Sequence, residues 1–521
     1  MSVQVTSAHL KTLRAIVGDS HATTAEADLL ANARDNWPQT IIQVRAGQVE
    51  HLPAVVVRPG SAEEVAKVLA YASHRKIPVT PYAAGSGVCG GAIPLQGGIS
   101  LDVKRLNRIL EIDKVSQIVR AESGINGEKL ERELNRAGFT LGHFPSSIYT
   151  STLGGWIVTR SAGQMSSKYG KIEDMVESLE IALADGRVVR QRTVPARAAG
   201  PDWRALFMGS EGTLGVVTSA ALKIHRFPEG RAFASYLFGD LHAGLETFRE
   251  ILQSGLRPAV MRLYDELDTF LAGSSRRKKE GEEETRQNPP DLFEPLYELL
   301  RGSVFARPLQ FLVGAGASLL PGMLNRVAGL VPKQCKCVLV FEGSPDRCAL
   351  EKDLAHEIAL RHGARDTGEG PAHHWLERRY AVSYRQQVVF DNFAFADTME
   401  VAATWEKLPR LYLSVREALS RHCLVMAHFS HAYPDGCSIY FTFVGAGINR
   451  EAAQSIYRRT WDEALAAAVQ AGGTFAHHHG VGVHKGAFME KEHGAAMEFL
   501  RAAKGVLDPS GVLNPGKLGL S

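Results

Sequence analysis

The chain has 521 residues, too many for one ordinary core, and 45% of them are apolar, enough to fill two or three globular domains. Its 59 basic and 56 acidic side chains nearly cancel to a formal net charge of +3, so no global field marks a nucleic-acid partner. The six cysteines, Cys89, Cys335, Cys337, Cys348, Cys423 and Cys437, contain no CxxC pair and are too few for a disulfide scaffold, which fits a reducing compartment. The opening MSVQVTSAHLKTLRAIVGDS lacks the apolar core of a signal peptide and the closing KLGLS is neither a peroxisomal nor a retention signal, so the expected address is cytoplasmic.

In chain order, residues 1–47 read as helices ahead of the first domain, and VVVRP at Val55–Pro59 opens an alternating strand and helix pattern. Ser61 is placed to cap a helix whose first turn is acidic and whose Val65, Val68, Leu69 and Ala72 share one face. A short strand at Pro78–Pro81 leads into a glycine loop, and further elements run to a strand at Ala220–Ile224, with a boundary near Phe227 and Pro228. The region 228–470 alternates strands (FASYLF, AVMRLYD, KCVLVFEG) with helices near 241–254 and from about 346, the pattern of an α+β domain. Within it, Ser274–Asp291 is charge-dense, ends in two prolines and is expected to be a mobile surface loop. Pro308–Asn325 carries no charged residue and has the length of a membrane span, but Pro321 and neighbouring glycines break it. It reads either as a buried helical hairpin or as a membrane-touching lid. The last stretch, 471–521, has a helix in AAMEFLRAAKGVL and a turn-rich LDPSGVLNPGK, and is expected to pack back on the first domain.

Gly85-Ser86-Gly87-Val88-Cys89-Gly90 satisfies GxGxxG, but a Rossmann loop needs a helix next, whose N-terminus receives the pyrophosphate. Here Ala92-Ile93-Pro94-Leu95-Gln96-Gly97-Gly98 forbids one, and Ile99–Val103 resumes as a strand. What remains is a loop between strands, either a plain glycine turn or a nest of backbone N–H groups closing on a diphosphate. Three further segments set small or hydroxyl residues beside glycine, as close approach to a cofactor requires: Pro145–Trp156, Thr159–Gly163 and Gly209–Val217.

With PYAAGSGVCGG, these segments resemble in order and spacing the PCMH-type FAD-binding domain of the vanillyl-alcohol-oxidase superfamily, over residues 48–227. The resemblance implies non-covalent FAD, with Cys89 not expected as a covalent anchor. The first segment would contribute Pro81, Ala83, Ala84, Gly85, Ser86, Gly87 and Val88. The second would add Ser146, Ser147, Ile148, Tyr149, Thr150, Ser151, Thr152, Leu153, Gly154 and Gly155, and the third Thr159, Arg160, Ser161, Ala162 and Gly163. The last would supply Glu211, Gly212, Thr213, Leu214, Gly215, Val216 and Val217. The fold expected is α+β: this FAD domain, an α+β cap domain that takes the substrate, and a helical C-terminal tail.

In the second half, His477-His478-His479 is an internal triplet followed by glycine turns. Imidazoles can hold a phosphate, move protons or bind a metal, and adjacent positions cannot all face one site, so at most two should. Upstream, Ser430–Phe443 ends in an alternating strand that carries Tyr440. Together these resemble the alkyldihydroxyacetonephosphate synthases, flavoenzymes of ether-lipid synthesis. That resemblance implies an active site with Tyr440, His477, His478 and His479, an activity-critical Arg262, a phosphate-contacting Arg385, and His143 beside the second FAD segment. It further implies exchange of the acyl chain of an acyl-dihydroxyacetonephosphate for a fatty alcohol through a flavin N5 adduct, redox-neutral overall, with Tyr440 as proton carrier. The plain alternatives are a core aromatic for Tyr440 and a surface ion pair for Arg262.

A rival resemblance runs to the FAD-linked 2-hydroxy-acid dehydrogenases, which the glycine loop and Leu513–Lys517 favour. Those enzymes commonly bind a divalent metal through an HxGDGNxH segment. Here His431 remains, Cys437 and Ser438 occupy the body of the motif and Tyr440 stands near the second histidine, so no metal is expected. Oxidation of a 2-hydroxy acid or another hydroxylated substrate is therefore the alternative activity, and a non-catalytic flavin protein a third. The partners expected are a small-molecule or lipid substrate, a membrane surface touched by 308–325, and a second copy in a homodimer.

Overall fold

The computed structural model describes residues 5–45, 47–270, 325, 331–380 and 394–520. It divides into two compact units, one of Met1–Gly163, Tyr169–Phe227 and Ala476–Ser521, the other of Gln164–Lys168 and Pro228–Phe475. Ser274–Asp291, Arg385 and the run 308–324 lie outside the described residues.

The first unit holds two main sheets. In one, Val55–Val57, Ile99–Asp102 and Val79–Tyr82 run parallel, and their near-continuous burial is what a parallel sheet covered on both faces demands. The helix Ala62–Arg75 covers it with Val65, Val68, Leu69 and Ala72. The Ser61 hydroxyl caps that helix by accepting from the Glu64 N–H at 3.1 Å, and the last turn carries His74 and Arg75. The N-terminal region adds more than helices, because Ala22–Thr23 pairs antiparallel with Val56–Val57 as an edge strand. At the other edge the tail joins: Val79 N–H donates to Val512 and Asn514 N–H donates back to Val79, each at 2.8 Å. The other sheet is antiparallel, with Ile118–Glu122, Val216–Lys223 and Val176–Ala182 at its centre.

The second unit is built on one seven-stranded antiparallel sheet. Its strands include Gly230–Phe238, Cys335–Gly343, Val260–Tyr264, Leu424–Tyr433, Gly436–Ala446 and Ala394–Thr404, in that spatial order. Alternation along Gly436–Ala446 sends Phe441 and Phe443 to one face, where they meet Tyr412 and Trp461 of the helices Leu408–Ser420 and Arg450–Gln470. Asp397 belongs to that face and is satisfied there by the Tyr457 hydroxyl at 2.7 Å and the Trp461 indole N–H at 3.2 Å. The opposite face takes Ser438, Tyr440 and Thr442 from the same strand. These helices thus claim one side of the sheet and leave Ser438, Tyr440 and Thr442 on the other.

Candidate active site

In the first unit, all four small-residue segments come together. A Cβ built on Gly155 would lie 3.9 Å from Ala83, one on Gly212 would lie 2.7 Å from Pro81, and one on Gly480 would lie 3.4 Å from Thr159 and 2.7 Å from Glu211. Glu211 N–H donates to the Val158 carbonyl, and Thr152 caps the helix Leu153–Thr159. Gly85, at φ +62°, is required where it is, since a side chain would strike Tyr82; a Cβ on Gly87 meets only Asp35, at 3.7 Å. The loop therefore leaves room beside Gly87. Among the described residues the buried Ser123 hydroxyl, packed against Gly154, has no hydrogen-bond partner. Open space against bare backbone and an unmatched donor are what a diphosphate-bearing cofactor needs, so these residues fit FAD. Ser123, although it stands beside Gly124, was not among the expected site residues. His143 is 1% exposed, lies 2.9 Å from the Ser161 hydroxyl through Nε2 and packs on Trp156, which puts it among the same segments.

The histidine triplet is fastened to this locus by its backbone. Lys171 Nζ donates to the His477 carbonyl at 2.7 Å. The Glu211 carboxylate accepts from Val481 N–H at 2.6 Å and from Gly482 N–H at 2.9 Å, and the Cys89 carbonyl accepts from Val483 and His484. Nδ1 of His477 and Nδ1 of His478 are 2.9 Å apart, so one must donate and the other accept; double protonation would set two N–H groups against each other. Beneath the loop lies a buried ionic cluster that sequence reading missed, for its members are far apart in the chain. Burial pushes the Glu211 carboxyl up to about 7 and Asp35 up to about 6, while burial holds the Lys517 ammonium down to about 8. Lys517 attracts both carboxylates and donates to the Ile93 carbonyl at 2.8 Å.

In the second unit, the polar sheet face gathers Tyr440 and Arg262. Tyr264, His428, Tyr440 and Glu400 oppose one another in a single lateral row across four strands, and Arg262, two residues before Tyr264, points to the same side. The Tyr440 hydroxyl donates to Thr398 Oγ1 at 3.0 Å, and burial pushes its phenol up to about 12, so it is a neutral acid near pH 7. Arg262 Nη2 lies 2.8 Å from His428 Nε2, and its guanidinium stands over the rings of Tyr264 and Trp375. His428 and Glu400 were not among the expected site residues. His431 is the extra residue of a β-bulge, at φ +52°, with Nδ1 2.7 Å from the Ser166 hydroxyl. Among the described residues, no group of three His, Cys, Asp or Glu side chains is arranged to hold a metal ion, and no helix is long and apolar enough to cross a membrane.

Comparison with known proteins finds two family matches along the chain. The FAD binding domain family matches residues 53–192, and the C-terminal domain of the FAD linked oxidases matches residues 227–518. The alkyldihydroxyacetonephosphate synthase of Trypanosoma brucei brucei is 29% identical over 500 residues, covering 94% of this chain and 76% of that protein. The uncharacterized FAD-linked oxidoreductase YgcU of Escherichia coli (strain K12) is 29% identical over 527 residues, covering 97% of each. A solved alkyldihydroxyacetonephosphate synthase matches with a TM-score of 0.77 at 24% identity, over 99% of this chain and 86% of that one, and shares its α+β fold. Since the second of the two family matches spans more than half of the sequence, the chain belongs to the FAD-linked oxidases and is an FAD-dependent enzyme.

Proposed function

We propose that the enzyme exchanges the acyl chain of an acyl-dihydroxyacetonephosphate for a long-chain alcohol, the activity named for the trypanosomal relative. The observation that carries this reading is Tyr440: a neutral phenol, half-buried and hydrogen-bonded to Thr398, on the same sheet face as the Arg262 guanidinium. The exchange needs a fixed cation for a phosphate and a proton carrier at the reacting carbon. FAD, when bound, supplies an electron sink that no side chain offers. The phosphate is assigned to Arg385 and to His478 or His479, with Arg262 as the fixed charge near the phenol. The ester C–O bond breaks and the acyl group leaves as its acid, taking the Tyr440 proton. The incoming alcohol forms the new C–O bond and returns its proton to Tyr440, so no net oxidation occurs. Thr398 accepts from the phenol at rest and keeps its oxygen oriented.

A second reading, oxidation of a 2-hydroxy acid or another hydroxylated substrate, is supported by the Escherichia coli oxidoreductase, which matches along nearly the whole of both chains. One anaerobic experiment separates them. Protein loaded with FAD is mixed with acyl-dihydroxyacetonephosphate and hexadecanol, and separately with a panel of 2-hydroxy acids, while flavin absorbance and lipid product are followed. Alkyl product without net flavin bleaching supports the exchange; bleaching by a hydroxy acid with no alkyl product refutes it.

A further inference from the structure

We propose that His428 is a positioning residue: a neutral imidazole that accepts a hydrogen bond from Arg262 and lays its ring against Tyr440, so that one side chain sets both the cation and the phenol. The role rests on the proposed exchange only for its consequence in turnover; the geometry stands on the strand register. His428 is the direct cross-strand partner of both Tyr264 and Tyr440, where side chains are close neighbours. Its ring stacks on Tyr440 with centroids 4.9 Å apart and planes inclined by 24°. Arg262 Nη2 lies 2.8 Å from Nε2 and 3.3 Å from Nδ1.

A guanidinium has donors only and keeps its charge, so the nearer imidazole nitrogen must offer a lone pair. That assignment leaves Nδ1 with the proton, facing the Asp268 carboxylate at 3.7 Å. Burial and the adjacent Arg262 charge both hold the imidazole well below the ordinary histidine range, in agreement with the neutral form. The other groups facing it are Tyr264, 5.9 Å away between ring centroids, and Glu400 beyond Tyr440 at the end of the row. With its lone pair committed to Arg262, His428 cannot serve as a general base without releasing the cation. Its contribution is therefore orientation of Arg262 and Tyr440.

The test uses the FAD-loaded protein labelled with ¹⁵N-histidine and ¹³Cζ-tyrosine, with Y440F for assignment. The expected result is a neutral, Nδ1-protonated His428 from about pH 8 down to about pH 5.5, below the ordinary value of about 6.5. The Tyr440 ¹³Cζ resonance should move in His428→Gln, which keeps an acceptor but loses the ring, and stay near its place in His428→Phe, which keeps the ring. In turnover with acyl-dihydroxyacetonephosphate, His428→Gln should lower kcat by about tenfold or more through misorientation, and His428→Phe should instead raise KM. An ordinary titration of His428 in the unmodified protein, or a Tyr440 resonance equally placed in both variants, overturns the proposal. If the resonances behave as expected but no variant or parent turns over the phosphate substrate, the positioning stands and the proposed reaction falls.

Discussion

Glu211 offers a quantitative test of the buried cluster under the histidine loop. Its carboxylate is 6% exposed, accepts from Val481 and Gly482, and sits on a residue at φ +49°. Burial raises its pKa from 4.5 to about 7; the two backbone N–H groups and Lys517 oppose that rise and Asp35 adds to it. Because the folded value lies above the unfolded one, the stability this group contributes is fully present below pH 4.5 and is lost as pH rises through about 7. A rise of about 2.5, at about 1.4 kcal/mol for each pKa unit, corresponds to about 3.5 kcal/mol over the whole titration. Asp35 is raised in the same sense, from 3.8 to about 6, whereas Lys517 titrates near 8 and leaves the slope at acid pH alone. Glu211→Gln removes the titrating carboxyl but keeps an acceptor oxygen, so it brings an offset of about 1–2 kcal/mol that is the same at every pH. The stability of the parent relative to Glu211→Gln should therefore fall by about 2.4 kcal/mol between about pH 5 and about pH 7.5. Denaturant titrations followed by the release of flavin fluorescence, run across that range on both proteins, measure the difference. Parallel curves would show that Glu211 is ionised throughout and that Lys517 fully compensates its burial, which refutes the argument.

Replacing Gly87 with Leu should lower FAD content while sparing the fold, since a Cβ there meets only Asp35 at 3.7 Å; a protein that still binds FAD stoichiometrically would place the cofactor elsewhere. FAD should be released by acid or heat, with the protein precipitate left colourless. Tyr440→Phe should retain FAD and substrate affinity and lose about 10²- to 10⁴-fold in turnover; near-normal turnover in the folded fraction would make Tyr440 a packing residue. Arg416→Met should destabilise the second unit by about 3–5 kcal/mol above about pH 8, where Asp265, raised by burial to about 7, is ionised, because Arg416 Nη1 at 2.5 Å is its cationic partner beside the Ala427 and Asp268 N–H donors; a loss under about 1 kcal/mol in chemical denaturation there would show that Asp265 is held neutral instead.

What the sequence made legible is what depends on neighbours along the chain. The Ser61 cap, the Val65/Val68/Leu69/Ala72 face and the strand carrying Tyr440 are local patterns, and the structure has all of them. The four small-residue segments were legible because each sets small residues beside glycine on its own, even though they come together only in the fold, as Gly155 on Ala83 and Gly212 on Pro81. The edge strand Ala22–Thr23 was read as helix, since two residues carry no period and its pairing with Val56–Val57 is set by tertiary contact. Lys517 shows nothing in the sequence that marks it as a buried charge; it lies 306 positions from its partner Glu211 in the chain (517 − 211).

The polar row of the second unit shows where local reading stops. Alternation tells which face Tyr440 takes, but not what lies opposite, because that is fixed by register. From the turn, Tyr433 pairs with Gly436 and Ala432 with Cys437; an unbroken ladder would continue with His431 against Ser438 and bring Phe429 opposite Tyr440. His428 would then face Phe441, on the side buried under the helices. The bulge removes His431 from the ladder, so Ser430 meets Ser438 and His428 meets Tyr440. A slip of one residue exchanges the two faces of a strand, and here it carries an imidazole from the apolar side to the side of Arg262. His431, the histidine that the metal-binding pattern singled out, thus governs the site through its backbone: at φ +52° and bonded to Ser166, it sets the register that makes His428 a neighbour of the phenol.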